Sequence, residues 1–545
     1  MDFKKKIFAA ICVLAFAVSC RSVPVQESTS PLQPTERQGF AETRPNIQDR
    51  DELTIVFSKH PIQLDFRQSY FFTEAQIFTG IYEGLVSYHP FTLAPVPAVA
   101  ERWVVSEDGK EWTFTLRQNA RFSNGDPVRA QDFRAAWLSI LEPARASPYS
   151  GLFDIIEGAR DFRNGLETNP DTVGVFAPDA RTLVVRLNAP AEFFLSMLCH
   201  HSFSPIHPSM IDVEDWVLPI TNGPFRIESA DENLIVLLRD DYYWDREHVF
   251  LNRINIRFTE TAEEATRLWN SGEARWVAAN VDIDALTDLS GIQINIMFAT
   301  HFFYIRGETA PWNDKRVRRA MVLVLPWEEI RSPHFLPAET LIFPMTDYPR
   351  VKGITEPDFD EAKRLMAEAG FAGGKGTPEL VIRLSPSPDA ARVGALMAVA
   401  WKEVLGLNVR IEVIPFELYF DSLKEGGYTV ASITWIGSFL DPFTFLQKWR
   451  RDSNLNNALF DDDDFEALID RSMFEEGATR MATLVEAEQL LLNRGVVLPI
   501  SHIPAFNIVD INELHGWFPN LLDIHPFKYF SFRTFRPMPG VVLAK

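Results

Sequence analysis

Cysteine is almost missing from this chain, with three in 545 residues. Cys12 and Cys20 both fall within the first twenty positions, so Cys199 has no partner in the body and a disulfide framework is excluded. Basic residues are the minority: 53 Lys and Arg stand against 74 Asp and Glu, a formal charge of −21. Phosphate backbones repel so acidic a body, which argues against a nucleic-acid role. Long apolar runs are missing too. The longest near the start, residues 7–18, is twelve long, where a membrane-spanning helix needs about twenty. There is no Gly-x-Ser-x-Gly, no His-Glu-x-x-His, no Walker loop and no Gly-x-Gly-x-x-Gly, so no common catalytic signature points to an enzyme.

What is present at the start reads as an export signal. Lys4, Lys5 and Lys6 precede the apolar run, and Ala17-Val18-Ser19 supply small residues up to Cys20. Because these abut a cysteine, residues 1–19 are expected to be removed and Cys20 to be lipidated. Ordinary cleavage beside an incidental thiol is the alternative. Residues 20–50 are rich in Ser, Thr, Pro, Gln and charge without apolar period, the composition of a flexible tether. The roughly 495 residues that follow are ample for a core without cross-links.

Along the body, strand and helix patterns alternate, which predicts an α/β class. Trp112, Phe114 and Leu116 alternate with polar residues as a half-buried strand. Phe133, Ala136, Trp137, Ile140 and Leu141 follow at helical spacing up to Pro143. Leu183, Val185 and Leu187 form another strand, as do Ile254, Ile256 and Phe258, and Thr261 with Glu264 makes a capping box. Strand 380–384, helix 390–405 ended by Gly406, and strand Val409, Ile411, Val413 make a βαβ unit whose strands should be parallel. Cys199, in the apolar run 193–199, is expected to be a buried small hydrophobe.

One ordered series of segments is more specific than any of these. It begins Ile81-Tyr82-Glu83-Gly84-Leu85 and continues through residues 95–101, 112–117 and 122–128 to Ala130-Gln131-Asp132-Phe133. Later come Thr221-Asn222-Gly223-Pro224-Phe225, residues 241–245 and 312–320, Trp435-Ile436-Gly437, and Val497-Leu498-Pro499-Ile500. Segment by segment the chain resembles the oligopeptide- and dipeptide-binding lipoproteins of ABC transporters, family 5 of the bacterial extracellular solute-binding proteins. The resemblance implies a bilobal periplasmic-binding-protein fold of class II type, with an additional subdomain in the first lobe. The expected division is lobe I over 51–87, 203–300 and 500–545, the subdomain over 88–202, and lobe II over 301–499. Crossings between lobes are expected near residues 85–88 and 202–207.

By the same resemblance the chain is a receptor rather than an enzyme, and no cofactor is expected. It captures an oligopeptide in the interlobe cleft and delivers it to ABC permease and ATPase subunits. It is expected to act as a monomer, exported and held to the bilayer by its acyl chain on the periplasmic or extracellular side. The same fold holding a non-peptide ligand, or serving as an adhesin or sensor without transport, remains the alternative. A receptor for many peptides pairs with their backbone as an added strand. The resemblance places one edge at Tyr70, Phe71, Phe72 and Thr73, and the other at Trp435, Ile436, Gly437 and Ser438, with Asp441 following. Relatives usually carry an aspartate at the position of Ser438 to hold the peptide amine. A neutral hydroxyl supplies no charge there, and charge-assisted bonds are roughly twice as strong as neutral ones. Read without the resemblance, Trp435, Phe71 and Phe72 are expected to be core packing.

Two clusters invite a metal reading. The run Asp461–Asp464 lacks the spaced oxygens and turn glycine of a calcium loop and is expected to be a solvated acidic loop. His200 and His201 are expected to point to opposite sides of an extended segment, and His207 lies farther along. No metal is expected at either.

Overall fold

Alternation of apolar and polar residues becomes sheet wherever the sequence shows it. A computed structural model describes residues 51–213 and 216–532. The expectations about the export signal, Cys20 and the tether therefore lie outside the described residues. In chain order the strands begin with β1 (Glu52–Ser58), β2 (Val86–Tyr88), β3 (Pro95–Pro97), β4 (Ala100–Val105), β5 (Glu111–Leu116), β6 (Val175–Phe176) and β7 (Thr182–Arg186). They continue with β8 (Phe225–Ala230), β9 (Leu234–Arg239), β10 (Arg253–Thr259), β11 (Trp276–Ala278), β12 (Ile292–Ile305), β13 (Leu380–Leu384), β14 (Val409–Val413), β15 (Val430–Ile436) and β16 (Val497–Val509).

Ten of these form one mixed sheet in the order β14-β13-β15-β12-β16-β11-β1-β10-β9-β8. β12 and β16 are its longest strands and run at its centre: β12 pairs with β15 through Ala299–Ile305 and with β16 along most of its length, while β16 reaches β11 at Ile508 and Val509. The β12–β16 register shifts between Ile296 and Thr300, and again between His301 and Phe302. Irregularities of this kind bend a ladder where it occurs. At the crossings expected near residues 85–88 and 202–207 the structure has two local elements. Val86–Tyr88 pairs with Pro95–Pro97 in a small two-stranded ribbon, and His201–Phe203 is a 3-10 turn whose Phe203 packs on Trp137 and Phe153. The chain between them builds a separate four-stranded sheet, β4-β5-β7-β6.

The local expectations hold in detail. The helix α1 (Phe72–Ile81) precedes β2, and α2 (Ala130–Leu141) buries Phe133, Ala136, Trp137, Ile140 and Leu141 before Pro143. Thr261 Oγ1 accepts the Glu264 amide at 3.2 Å, as a capping residue does. Helix α3 (Pro388–Leu405) ends at Gly406, whose φ of 71° needs no Cβ, and β13 and β14 on either side of it pair in parallel. No helix among the described residues is long and apolar enough to cross a membrane.

Three expectations change. The aspartate run is no free loop: Asp462 caps the helix Asp463–Ser472, and Asp461 to Asp464 pair with Arg451 and Arg494. Carboxylates suit a helix N-terminus because its free N–H groups and dipole favour negative charge. His200 and His201 do not diverge, since a turn rather than a strand carries them; their rings lie 3.9 Å apart. Cys199 is only partly buried and borders a cavity.

Candidate functional site

The family landmarks are interlocked by close backbone approach. Asn222 Nδ2 donates to the Glu83 carbonyl at 2.7 Å, and its Oδ1 accepts the Glu83 amide at 3.2 Å. Next to it, a Cβ on Gly223 would sit 2.4 Å from the Ile81 carbonyl carbon, so only glycine fits. Glu83 itself is buried, and burial pushes its carboxyl up despite Lys528 nearby. Its oxygens accept from Tyr243 Oη and from Trp244 Nε1. These contacts fix the end of α1 and the start of β2, which form one wall of a cleft.

Glu74 fixes the other end of α1. It accepts from Ser69 Oγ, the Gln63 amide at 2.6 Å and the Phe71 amide at 3.4 Å, and burial raises it to about 7. The loop held this way presents Tyr70 and Phe71 to the opposite lobe. There they meet Phe420 and Phe416 of α4 (Phe416–Glu425), with Lys424 Nζ 5.3 Å from the Tyr70 ring centre.

Opposite stands the end of β15. β13 pairs only with Val430 and Ala431, so from Ser432 onward that edge has no strand partner. Tyr419 Oη occupies both backbone groups of Ser432. Backbone groups alternate sides along a strand. The Gly437 amide bonds back to Phe298 on the β12 side, so Thr434 and Ile436 direct theirs outward, into the cleft. A Cβ on Gly437 would lie 2.4 Å from the Phe298 ring, which is why the strand ends in glycine.

Between the walls lies a cavity of about 530 Å³, within the usual range for ligand sites. Tyr70, Phe71, Phe72, Trp435, Ile436, Gly437 and Ser438 line it. Thr73 and Asp441 do not. Thr73 lies within α1, where the backbone is helical and offers no strand edge. Asp441 is buried in a bidentate pair with Arg480 at 2.7 and 2.9 Å, and caps the Phe443 amide. Arg480 in turn lies over Phe193, which stacks on Phe439. Asp441 therefore shapes the loop after Ser438 and is not available to a ligand.

Sequence reasoning missed Tyr88, Tyr149, His200, Phe420 and Lys448. Tyr149 lies beside Ser438 and edge-on to His200, and burial holds His200 down at about 3, uncharged. Lys448 could have been found, as the one lysine inside the apolar stretch from Phe443 to Trp449. Polar contacts also cross the cleft: Asp452 takes Arg160 and Arg163, and Asn454 Nδ2 donates to the Ser147 carbonyl at 2.9 Å.

The family model for bacterial extracellular solute-binding proteins, family 5, matches residues 94–457. The chain belongs to this family. Its members are solute-binding proteins, not enzymes. The periplasmic oligopeptide-binding protein OppA of Salmonella typhimurium is 30% identical over 459 residues, 78% of this chain and 82% of that protein. Among solved structures, the Escherichia coli murein tripeptide binding protein MppA superposes with a TM-score of 0.80 at 23% identity, covering 90% of this chain and all of that one. The unliganded open form of MppA gives 0.61 at 24% identity, over 89% of this chain and 98% of that one. This family-5 chain is thus bilobal.

Proposed function

We propose that this chain captures a short peptide between its lobes and delivers it to an ABC importer. The observation that carries this reading is the free edge of β15 along the cavity, where Thr434 and Ile436 offer N–H and C=O groups to an added strand. An extended peptide satisfies such an edge by main-chain bonds while the surrounding space accepts varied side chains. The aromatic walls at Tyr70, Phe71, Tyr149 and Trp435 suit side chains of many shapes. Relatives named as oligopeptide- and dipeptide-binding proteins support the same ligand class.

In this reading lobe I comprises residues 51–87, 203–300 and 500–545, with 88–202 as its additional subdomain, and lobe II comprises 301–499. β12 and β16 are the hinge, flexing at their register shifts. The protein is exported as a monomer, with Cys20 carrying the lipid that keeps it beside its permease.

Thr434→Pro removes one outward N–H and is tested by calorimetry against tripeptides. Binding should fall at least tenfold with folding intact, because the lost donor is on an unpaired edge. Unchanged affinity would remove β15 from the site. Labelling with a palmitate analogue should mark the wild type and not Cys20→Ser, and an unlabelled wild type would end the anchoring reading.

A further inference from the structure

The cavity carries the wrong charge for a chain of net −21. Its lining includes three cations, Arg145, Lys424 and Lys448, and a single carboxylate, Glu83. Both Glu83 oxygens are already engaged by Tyr243 and Trp244. Two of the cations are engaged as well. Arg145 Nε donates to the Ser139 carbonyl at 2.9 Å and its guanidinium meets Glu142 at 3.4 Å; Lys424 reaches Asp421 at 3.2 Å.

Lys448 is different. It is 3% exposed, and its Nζ lies 4.3 Å from the ring centre of Trp449, 5.0 Å from Trp435 and 5.1 Å from Phe302. Among the described residues no hydrogen bond or ion pair reaches it, and burial alone pulls it down to about 7. Nor is the side chain sealed off, since it borders the cavity. Aromatic faces offset part of the cost of desolvating an ammonium but accept no hydrogen bond in its place. A lone buried charge is costly until a counter-charge arrives.

We infer that Lys448 holds a carboxylate of the ligand, so that the cleft selects its cargo by a negative group and not by a free amine. A single ammonium with no arginine cluster or ring of backbone amides around it matches a monoanion better than a phosphate. Lobe closure around a neutral ligand leaves the Lys448 charge uncompensated, whereas a carboxylate neutralises it and favours the closed state. The inference rests on the peptide-capture reading for the identity of the cargo, and the carboxylate is then a peptide C-terminus or an acidic side chain.

The test is native mass spectrometry of wild type, Lys448→Met and Lys448→Gln against a mixed tripeptide pool. The pool is prepared with free or acetylated amines and with free or amidated C-termini, and 4-phenylbutyrate serves as a non-peptide carboxylate. Wild type should carry free-carboxylate peptides about 10- to 100-fold better than their amides, the range of a hydrogen bond to a charged group. Acetylation should change nothing. Both variants should lose the preference, and melting curves confirm that each is folded. Equal capture of acids and amides by wild type, or a preference that survives in both variants, overturns the inference while leaving peptide capture standing. Lys448-dependent capture of 4-phenylbutyrate without any tripeptide upholds the inference and removes the peptide reading. Capture of none of these ligands overturns both.

Discussion

The phenol of Tyr88 donates a 3.1 Å hydrogen bond to the carbonyl oxygen of Ser438, joining residues 350 positions apart across the cleft. Both line the cavity. Tyr88→Phe should leave the fold intact and weaken ligand binding by about 0.5–1.5 kcal/mol, the net worth of one such bond. Small-angle scattering should show the wild-type radius shrinking on adding ligand. An unchanged radius at saturation would remove lobe closure from the account.

Asp441 and Arg480 make a buried pair remote from the ligand. Asp441→Ala leaves the guanidinium without its counter-charge and should cost about 3–5 kcal/mol of stability, read as a lower melting temperature. Relative affinities among ligands should stay as they were. Altered selectivity with unaltered stability would mean that Asp441 reaches the ligand after all.

Ser438 stands beside the neutral Tyr149, close to an uncharged His200. Ser438→Asp introduces a carboxylate on this wall. Peptides with a free amine should then bind more tightly by about 1–3 kcal/mol if the new pair is desolvated, and their acetylated twins should bind less tightly. Calorimetry of both proteins against both peptides separates the cases, and equal affinity in all four combinations would show that Ser438 does not face the ligand.

The pH dependence follows from Lys448. Below about pH 7 its ammonium is charged with or without ligand, so affinity for a carboxylate is level. Above that the empty closed site has lost its proton and must take one up to hold an anion, so affinity falls by as much as about tenfold per pH unit. The groups around it do not supply this trend: Phe302, Trp435 and Trp449 do not titrate, burial keeps His200 and His201 uncharged, and Arg145 and Lys424 are engaged by Glu142 and Asp421. Glu74, raised to about 7 by burial, titrates in the same window behind Phe71. Lys448→Met is therefore the control, and calorimetry from pH 6 to 9 should show the slope in wild type and none in the variant. A level wild-type profile would contradict the assignment.

Much of the architecture was legible because local patterns and tertiary demands agree. Trp112, Phe114 and Leu116 alternate as a strand and are one; Gly406 stops a helix because its backbone turns left-handed there. The cavity-lining stretch 435–438 was legible through the resemblance. That Asp441 and Thr73 lie off the cavity was not legible, because sequence order does not show which way a side chain points, nor that Arg480, 39 positions away, lies opposite Asp441. His200 and His201 were misread because the turn carrying them has no period to reveal it. The pairing of β12 with β16 was not legible because two long strands far apart in sequence leave no local trace of each other. Lys448 was legible as a lone lysine in a largely apolar stretch, but the rings of Phe302, Trp435 and Trp449 around it come only from the fold.

The central claim is that a peptide adds itself to the free edge of β15. Amide hydrogen exchange resolved to single residues tests it most directly. The amides of Ile433 and Trp435, directed at β12, should be slow with or without ligand, whereas those of Thr434 and Ile436 should exchange readily in the empty protein and slow markedly when peptide is bound. Exchange at Thr434 and Ile436 that is the same in the empty and the peptide-saturated protein would contradict the account.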